Sequence, residues 1–173
     1  MPSELALVGL GANLADPAGQ IGAALARLSA LPGVQLLSHS SLYRSPAWGD
    51  TAQPDFVNAA AAFAVEVAPA EWLAALLGIE RAMGRVRSER RWGPRLIDLD
   101  LLAFGDRSLH CEGLQVPHPG IAERAFVLLP LLELGERLPG LPLAQWRRQL
   151  SHLHHADVVR MQPPNPSRML AAG

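Results

Sequence analysis

Two aspartates that follow an arginine-rich segment are the residues of this 173-residue chain best suited to chemistry. The segment 81–95 holds six arginines and a single acid, Glu89, and the apolar run 96–102 after it contains Asp98 and Asp100. Side chains of a strand alternate between faces, so both carboxylates point the same way, about 6.6 Å apart. They repel each other there, and a divalent cation would turn repulsion into binding. The pattern predicts a site for a polyphosphate substrate with magnesium.

The composition excludes several other classes of site. All fifteen basic residues are arginine, so the chain lacks the lysine that a P-loop or a Schiff-base enzyme requires. Phosphate contacts must then come from guanidinium groups, backbone N–H groups or metal. The formal net charge of −1 argues against a chain-wide surface for nucleic acid or anionic membrane. We therefore expect small-molecule partners, with no nucleic acid and no membrane.

The compartment and the assembly state can be predicted only in outline. Cys111 is the single cysteine, so no disulfide can form within the chain. The first residues show no signal peptide, and no apolar run approaches eighteen residues. We expect a cytoplasmic protein that acts as a monomer.

The spacing of apolar residues predicts strands and helices in the order βαββαβ, followed by two more helices. The strands are expected at 4–10, 34–43, 56–67 and 96–104, with a loop at 44–55. The helices are expected between Asp16 and Pro32, between Pro69 and Gly84, and around 122–134 and 142–155. This order is typical of the ferredoxin-like sandwich, an α+β fold in which an antiparallel sheet carries both helices on one face. We expect one domain over residues 1–160 and a mobile tail over 161–173.

Alternation within two of these strands predicts where the site lies. Odd positions of 56–67 and 96–104 are apolar and should pack under the helices. Even positions place Phe56, Asn58, Asp98 and Asp100 together on the open face. That surface would be a cleft floor, walled by the loops at 44–55 and 85–95.

The arginines of the 85–95 loop, the motif at 9–13 and the segment around His118 each allow a prediction. Arg85, Arg87, Arg91 and Arg95 could close over an anion, although pairing with surface acids is the alternative. Gly9-Leu-Gly-Ala-Asn13 is not the dinucleotide fingerprint, because Leu14 stands where GxGxxG requires glycine. It predicts a strand-to-helix turn, with Asn13 tying loop backbone. The prolines around His118 predict a rigid turn that presents one imidazole.

The run Arg-Trp-Gly-Pro-Arg-Leu-Ile-Asp-Leu-Asp-Leu-Leu at 91–102 resembles the signature of the 6-hydroxymethyl-7,8-dihydropterin pyrophosphokinases. The likeness spans roughly residues 4–135 and includes the motifs at 9–13, 43–49, 53–59, 79–80, 84–87 and 116–118. The resemblance implies an enzyme of folate biosynthesis that transfers the β,γ-diphosphate of ATP to the hydroxymethyl group of the pterin and releases AMP. Leu77 and Ser88 stand where some relatives have polar or cationic ATP contacts, which would weaken ATP binding. Pro119 replaces an aromatic residue that some relatives have after the histidine.

The resemblance also implies residue roles, carried over position by position. Two Mg²⁺ ions are expected on Asp98 and Asp100, and these two aspartates act in catalysis with Arg85 and Arg95. The implied ATP contacts are Glu80, Arg87, Arg91, Trp92, Leu101, His118 and Arg124. The implied pterin contacts are Ser45, Trp48, Phe56, Asn58 and Phe126.

Two other functions are compatible with parts of the pattern. A ferredoxin-like RNA-binding module would use exposed aromatic residues on its sheet, but Asp98 and Asp100 would repel the phosphates. Another magnesium-dependent DxD enzyme, a nucleotidyl- or glycosyltransferase, would use the aspartates without needing Asn58 and two aromatic rings matched to a pterin. Both are kept as alternatives.

Overall fold

The structure is a computed structural model that describes residues 2–47, 49, 51–84 and 94–163. The strands in this part of the chain are β1 (Glu4–Ala12), β2 (Val34–His39), β3 (Tyr43–Ser45), β4 (Phe56–Val65), β5 (Asp98–Phe104), β6 (Leu109–Cys111), β7 (Leu114–Val116) and β8 (Val159–Arg160). The helices are α1 (Pro17–Ser29), α2 (Pro69–Ala82), α3 (Ala125–Arg137) and α4 (Leu143–Ser151), with a 3₁₀ turn at Ile121–Glu123.

The main sheet confirms the predicted α+β, ferredoxin-like fold. Its strands follow the order β5-β1-β4-β3-β8, with β2 also paired to β4, and each of these pairs is antiparallel. The predicted strand 34–43 is divided into β2 and β3, which lie one after the other along β4. Ser40 lies between them, and its N–H donates to the Ala60 carbonyl at 2.8 Å. Residues 44 and 45, predicted as the start of a loop, therefore belong to a strand.

Helices α1 and α2 begin where the sequence predicts and cover one face of the sheet. Asp16 Oδ1 accepts a hydrogen bond from Gly19 N at 3.1 Å, which caps α1, and proline stands at the first helical position of both helices. Their apolar stripes bury Ile21, Leu28, Trp72 and Leu76 against the odd positions of β4 and β5 and the even positions of β1. Burying each such side chain contributes about 1.5–3 kcal/mol, which holds the strand register.

The opposite face is open only in part, which differs from the prediction. Helices α3 and α4 cover its far end and form a second core cluster there. Ala60 and Ala62 on β4 are fully buried under this layer, and their small side chains let α3 lie close to the sheet. Helix packing from the C-terminal third of the chain thus confines the open surface to the end where β1 stops and β5 starts.

Two short elements have no counterpart in the predicted order. Strands β6 and β7 form a hairpin whose turn contains Gly113 at φ 76°. Strand β8 pairs with β3, and Met161 N donates to the Leu42 carbonyl at 2.8 Å. The remainder of the predicted tail, 164–173, lies outside the described residues. No helix in the described ranges has both the length and the apolar character to cross a membrane.

Candidate active site

Asn13, at the end of β1, fastens the two loops that border the site. Its backbone N–H donates to the Arg95 carbonyl at 3.1 Å, and its Oδ1 accepts from Arg95 N at 2.8 Å. Its Nδ2 donates to Gln53 Oε1 at 2.9 Å and to the Pro54 carbonyl at 3.0 Å. The side chain is buried, so these bonds replace contacts with water. The predicted role of Asn13 is confirmed.

Asp98 and Asp100 lie on the same face of the edge strand β5, as the alternation predicts. Arg95 Nη1 donates to Asp98 Oδ2 at 2.7 Å. Desolvation, reinforced by the charge of Asp98, raises the pKa of Asp100 to about 7; Glu80 acts in the same direction, whereas Arg124 and Arg95 oppose the rise. The surrounding protein therefore does not fully offset the negative charge of the pair.

The chemistry of this pair suits magnesium. Both side chains offer oxygen ligands, which Mg²⁺ prefers, and the raised pKa of Asp100 marks a place where a cation would be stabilising. Among the described residues, no group of three or more His, Cys, Asp or Glu side chains could hold a metal ion. An ion on these two carboxylates could complete its coordination with water and phosphate oxygens, as Mg²⁺ commonly does.

Glu80, near the end of α2, supports the strand that carries the pair. Its side chain is buried, and Oε1 accepts from Leu99 N at 2.7 Å. Leu99 lies between the two aspartates on the outer edge of β5, where none of the described strands satisfies the N–H. The carboxylate therefore fixes the backbone of the aspartate pair as well as bordering the site.

One cleft opens on the uncovered face, with about 760 Å³ of empty space. Its lining includes Ser45, Phe56, Asn58, Arg95, Asp98, Asp100, Arg124 and Phe126. Asn58 Nδ2 donates to Ser45 Oγ at 2.8 Å and to the Tyr43 carbonyl at 3.4 Å, which orients the carboxamide. Gly11 faces it on β1, where a Cβ would lie 3.4 Å from Asn58 Oδ1. The glycine keeps this part of the cleft floor clear. We call this space the aromatic cleft.

A second cleft lies on the other side of the aspartate pair, between α2 and the β6–β7 hairpin. Its lining includes Leu73, Leu77, Glu80, Leu101, His110, Gln115 and His118. Arg95, Asp98 and Asp100 line this cleft as well as the aromatic cleft. The two spaces therefore meet at the carboxylate pair and one guanidinium group. We call the second space the hairpin cleft.

His118 is held as a neutral hydrogen-bond donor at the hairpin cleft. The backbone N–H of His118 donates to the Leu102 carbonyl at 2.8 Å, and the ring Nδ1 accepts from Gly120 N at 2.9 Å. Burial and the nearby charge of Arg124 lower its pKa, against the opposing effect of Asp98. With Nδ1 occupied as an acceptor, the proton of the neutral ring is on Nε2.

Comparison with known proteins identifies the family of this chain. The family model described as "7,8-dihydro-6-hydroxymethylpterin-pyrophosphokinase (HPPK)" matches residues 7–136, about three quarters of the chain. The chain belongs to this family. A relative from Methylorubrum extorquens, named as a 2-amino-4-hydroxy-6-hydroxymethyldihydropteridine pyrophosphokinase, is 47% identical over 133 residues, covering 77% of this chain and 84% of the relative. One from Pseudomonas aeruginosa with the same name is 48% identical over 134 residues, covering 76% and 82%.

Solved HPPK-DHPS structures share the fold of this HPPK-family chain. A crystal structure of HPPK-DHPS in complex with substrates superposes with a TM-score of 0.66 at 12% identity, covering 88% of this chain. A Plasmodium falciparum HPPK-DHPS gives 0.64 at 16% identity, covering 87%. This chain spans less than half the length of either of those chains, 43% and 44%. The RNA-binding and other-transferase alternatives gain no support from any of these matches.

The structure brings together every predicted site residue that it describes, but it does not describe them all. Arg124 borders the aromatic cleft at the start of α3, although the resemblance implies an ATP contact. Five predicted residues lie outside the described part of the HPPK-family chain: Trp48, Arg85, Arg87, Arg91 and Trp92. The prediction that the 85–95 loop closes over a ligand therefore stays a prediction.

The sequence analysis missed the hairpin as a wall of the site. His110 and Gln115 border the hairpin cleft from β6 and β7. The signal was the Glu112-Gly113 pair between two short strand-forming runs, which is typical of a tight hairpin turn.

Proposed function

We propose that this HPPK-family chain transfers the β,γ-diphosphate of ATP to the hydroxymethyl group of 6-hydroxymethyl-7,8-dihydropterin and releases AMP, a step of folate biosynthesis. The observation that carries the proposal is the wall shared by two clefts. A donor and an acceptor can each occupy one cleft, with the transferred group at Asp98, Asp100 and Arg95 between them. Holding two reactants in line is the main catalytic requirement of phosphoryl-type transfer.

The aromatic cleft is the proposed pterin site. Phe56 and Phe126 both border it, and two rings can stack on the faces of a flat heterocycle. Asn58, oriented by Ser45, can form hydrogen bonds with the edge of the pterin ring. A ring without matching donors and acceptors would leave the Asn58 amide unpaired and would bind more weakly. Trp48, outside the described residues, is proposed as a further pterin contact.

The hairpin cleft is the proposed nucleotide site. Leu101 and Glu80 lie at the strand and helix that form its wall, and His118 offers its Nε2–H to a phosphate oxygen. Arg124 lies close enough to lower the pKa of His118, so its charge can act on the same phosphates. Arg87, Arg91 and Trp92 complete the proposed set of ATP contacts from the segment outside the described residues.

The centre of the site is proposed to stabilise the charge of the transferred group. Asp98 and Asp100 would hold two Mg²⁺ ions, which neutralise phosphate charge when bound. Arg95 is paired with Asp98 at 2.7 Å and lines both clefts. Its guanidinium is therefore already positioned to stabilise the negative charge of the diphosphate group during transfer. Arg85 is the proposed second catalytic arginine.

We further propose that residues 1–160 form a single domain. The protein would act as a monomer, in the cytoplasm. The substrates are the two small molecules, and neither nucleic acid nor membrane takes part. The formal net charge of −1 supports this, because a nucleic-acid surface requires an excess of positive charge.

An AMP-release assay tests the proposed function. Purified protein with ATP, Mg²⁺ and 6-hydroxymethyl-7,8-dihydropterin should release AMP only when the pterin is present. Asp98→Ala and Asp100→Ala should abolish turnover, since each removes a proposed metal ligand. Asp106→Ala, at an exposed turn, is the matched control and should keep the full rate. Pterin-independent AMP release, or none at all, would overturn the assignment.

A further inference from the structure

A buried carboxylate outside both clefts joins two walls of the aromatic cleft. Glu133 lies on α3, is 7% exposed, and accepts hydrogen bonds from Ser41 and Tyr43. Its two oxygens lie 3.0 and 3.1 Å from Ser41 N; Oε1 lies 2.9 Å from Ser41 Oγ, and Oε2 lies 2.7 Å from Tyr43 Oη. The carboxylate is therefore bound to the start of β3, ninety residues earlier in the chain.

Two arginines complete the surroundings of Glu133. Arg137 Nη2 donates to Oε1 at 2.7 Å, while its Nη1 donates to the His39 carbonyl at 2.8 Å. Arg160, on β8, places Nη2 3.5 Å from Oε1 and donates from Nε to Ser41 Oγ at 3.0 Å. Donors from the turn before β3, from β3 itself, from β8 and from α3 thus converge on one side chain. Charge-assisted bonds of this kind are stronger than neutral ones.

We call Glu133 and its partners Ser41, Tyr43, Arg137 and Arg160 the junction. Its hydrogen bonds require Glu133 to be ionised and Tyr43 to be protonated. Burial would raise the pKa of Glu133, but the hydrogen bonds from Tyr43 and Ser41, with the charge of Arg160, lower it overall. Burial and the neighbouring carboxylate raise the pKa of Tyr43, so its hydroxyl keeps its proton and donates. Glu133 is a carboxylate at neutral pH, with the donors that burial of a charge demands.

The junction is continuous with the aromatic cleft on both sides. On β3, Tyr43 lies opposite Asn58 of β4, and its carbonyl accepts from Asn58 Nδ2 at 3.4 Å. Ser45, two residues further on, accepts from the same amide at 2.8 Å. On α3, Phe126 lines the cleft seven residues before Glu133, about 10 Å along the helix axis. Glu133 therefore connects the helix that carries one cleft wall to the strand that orients the cleft's amide.

We propose that Glu133, through Tyr43 and Ser41, is a positioning residue for the pterin. It fixes the separation and orientation of Phe126 relative to Asn58 without touching the substrate. This inference rests on the proposed function, since it names the pterin as the ligand of the aromatic cleft. The proposal predicts that variants of the junction bind the pterin more weakly but bind ATP normally. None of the junction residues is among those that line the hairpin cleft.

The test compares Tyr43→Phe and Glu133→Gln with the unmutated enzyme. Both changes keep the shape of the side chain and remove hydrogen bonding. The Kd of the pterin, measured by direct binding, and its KM should rise about 5- to 10-fold, the ratio expected when a buried hydrogen bond worth about 1 kcal/mol is lost. The KM of ATP should stay within twofold. The variant with both changes should bind the pterin as tightly as Glu133→Gln alone does, because both changes break the same link.

A matched destabilised variant separates positioning from general loss of stability. Ile21→Val removes one buried methylene group under α1, on the opposite face of the sheet. It should lower the Tm while leaving the Kd of the pterin unchanged. Unchanged pterin affinity in both junction variants, or equal rises in the KM of ATP and pterin, would overturn the positioning role.

A substrate-free measurement distinguishes this proposal from the proposed function. Amide hydrogen exchange at Arg44 and Ser45 should speed up in Tyr43→Phe and Glu133→Gln but not in Ile21→Val. Exchange that is unchanged in the junction variants would overturn the link whether or not the enzyme is active. Absence of pterin-dependent AMP release by the unmutated protein would instead overturn the proposed function, while faster exchange would still support the link.

Discussion

Replacing Asp100 by asparagine should stabilise the metal-free protein while removing its activity. The folded structure raises the pKa of this carboxyl group to about 7, mainly by desolvation and by the charge of Asp98. In the unfolded chain the pKa returns to about 3.9. Between these values the folded state binds more protons than the unfolded state, so stability falls as pH rises from about 4 to 7. The loss is complete about one pH unit above the folded pKa, near pH 8.

The size of the effect follows from the two pKa values. A carboxyl group with a pKa of about 7 folded and about 3.9 unfolded lowers the free energy of unfolding by roughly 4 kcal/mol at pH 8. Because the side chain keeps some contact with solvent, we expect about half of this, roughly 2 kcal/mol. Asp100→Asn is nearly isosteric with the protonated acid, so its gain in stability should be close to zero at pH 4 and reach that value at pH 8.

Urea unfolding in EDTA at several pH values measures this gain directly. Asp106→Asn, at an exposed turn, is the control and should follow the unmutated protein at every pH. Adding Mg²⁺ with a non-hydrolysable ATP analogue should stabilise the unmutated protein and not Asp100→Asn, since only the former keeps both ligands. Turnover by the variant should fall by at least about 10²-fold. A variant that is less stable than the unmutated protein at pH 8, or a gain independent of pH, would refute the reasoning.

Three further substitutions test other parts of the site. Arg95→Ala should lower kcat by about 10²-fold and raise the Kd of the pterin far less; equal losses would contradict a transition-state role. His118→Ala should raise the KM of ATP and leave that of the pterin unchanged, and a KM of ATP that depends on protonation of His118 between pH 7 and 8 would contradict a neutral donor. Asn13→Ala should reduce the free energy of unfolding by about 1–3 kcal/mol in urea titrations, because it leaves partly buried partners such as Arg95 N unpaired; an unchanged midpoint would contradict the anchoring role.

Strand alternation predicted the centre of the site because packing leaves it little freedom. A shift of one residue in β5 would bury Asp98 and Asp100 and expose Leu99 and Leu101, so the register follows from the hydrophobic pattern alone. The same reasoning applies to Phe56 and Asn58 on β4. The boundaries of α1 and α2 were predicted for a similar local reason, since capping and proline residues act within one turn.

The second helical layer could not be predicted in the same way. An apolar stripe on α3 shows that the helix is buried, but not which surface covers it. Ala60 and Ala62 carried the missing information, because small apolar side chains at even positions of β4 suit a closely packed helix better than open solvent. The expected open face would have been limited to its polar end had these alanines been considered.

Glu133 shows what sequence patterns do not contain. In sequence it is an ordinary helical glutamate with an arginine four residues on, a pairing typical of a solvated helix face. Its burial arises because the turn before β3 and the strand β8 bring Ser41, Tyr43 and Arg160 to it from positions ninety-two, ninety and twenty-seven residues away. Family matching extends only to residue 136, so Arg160 lies beyond it. A surface pair at this position would tolerate Glu133→Gln with little effect, whereas a buried junction would not, and that difference is measurable before any substrate is added.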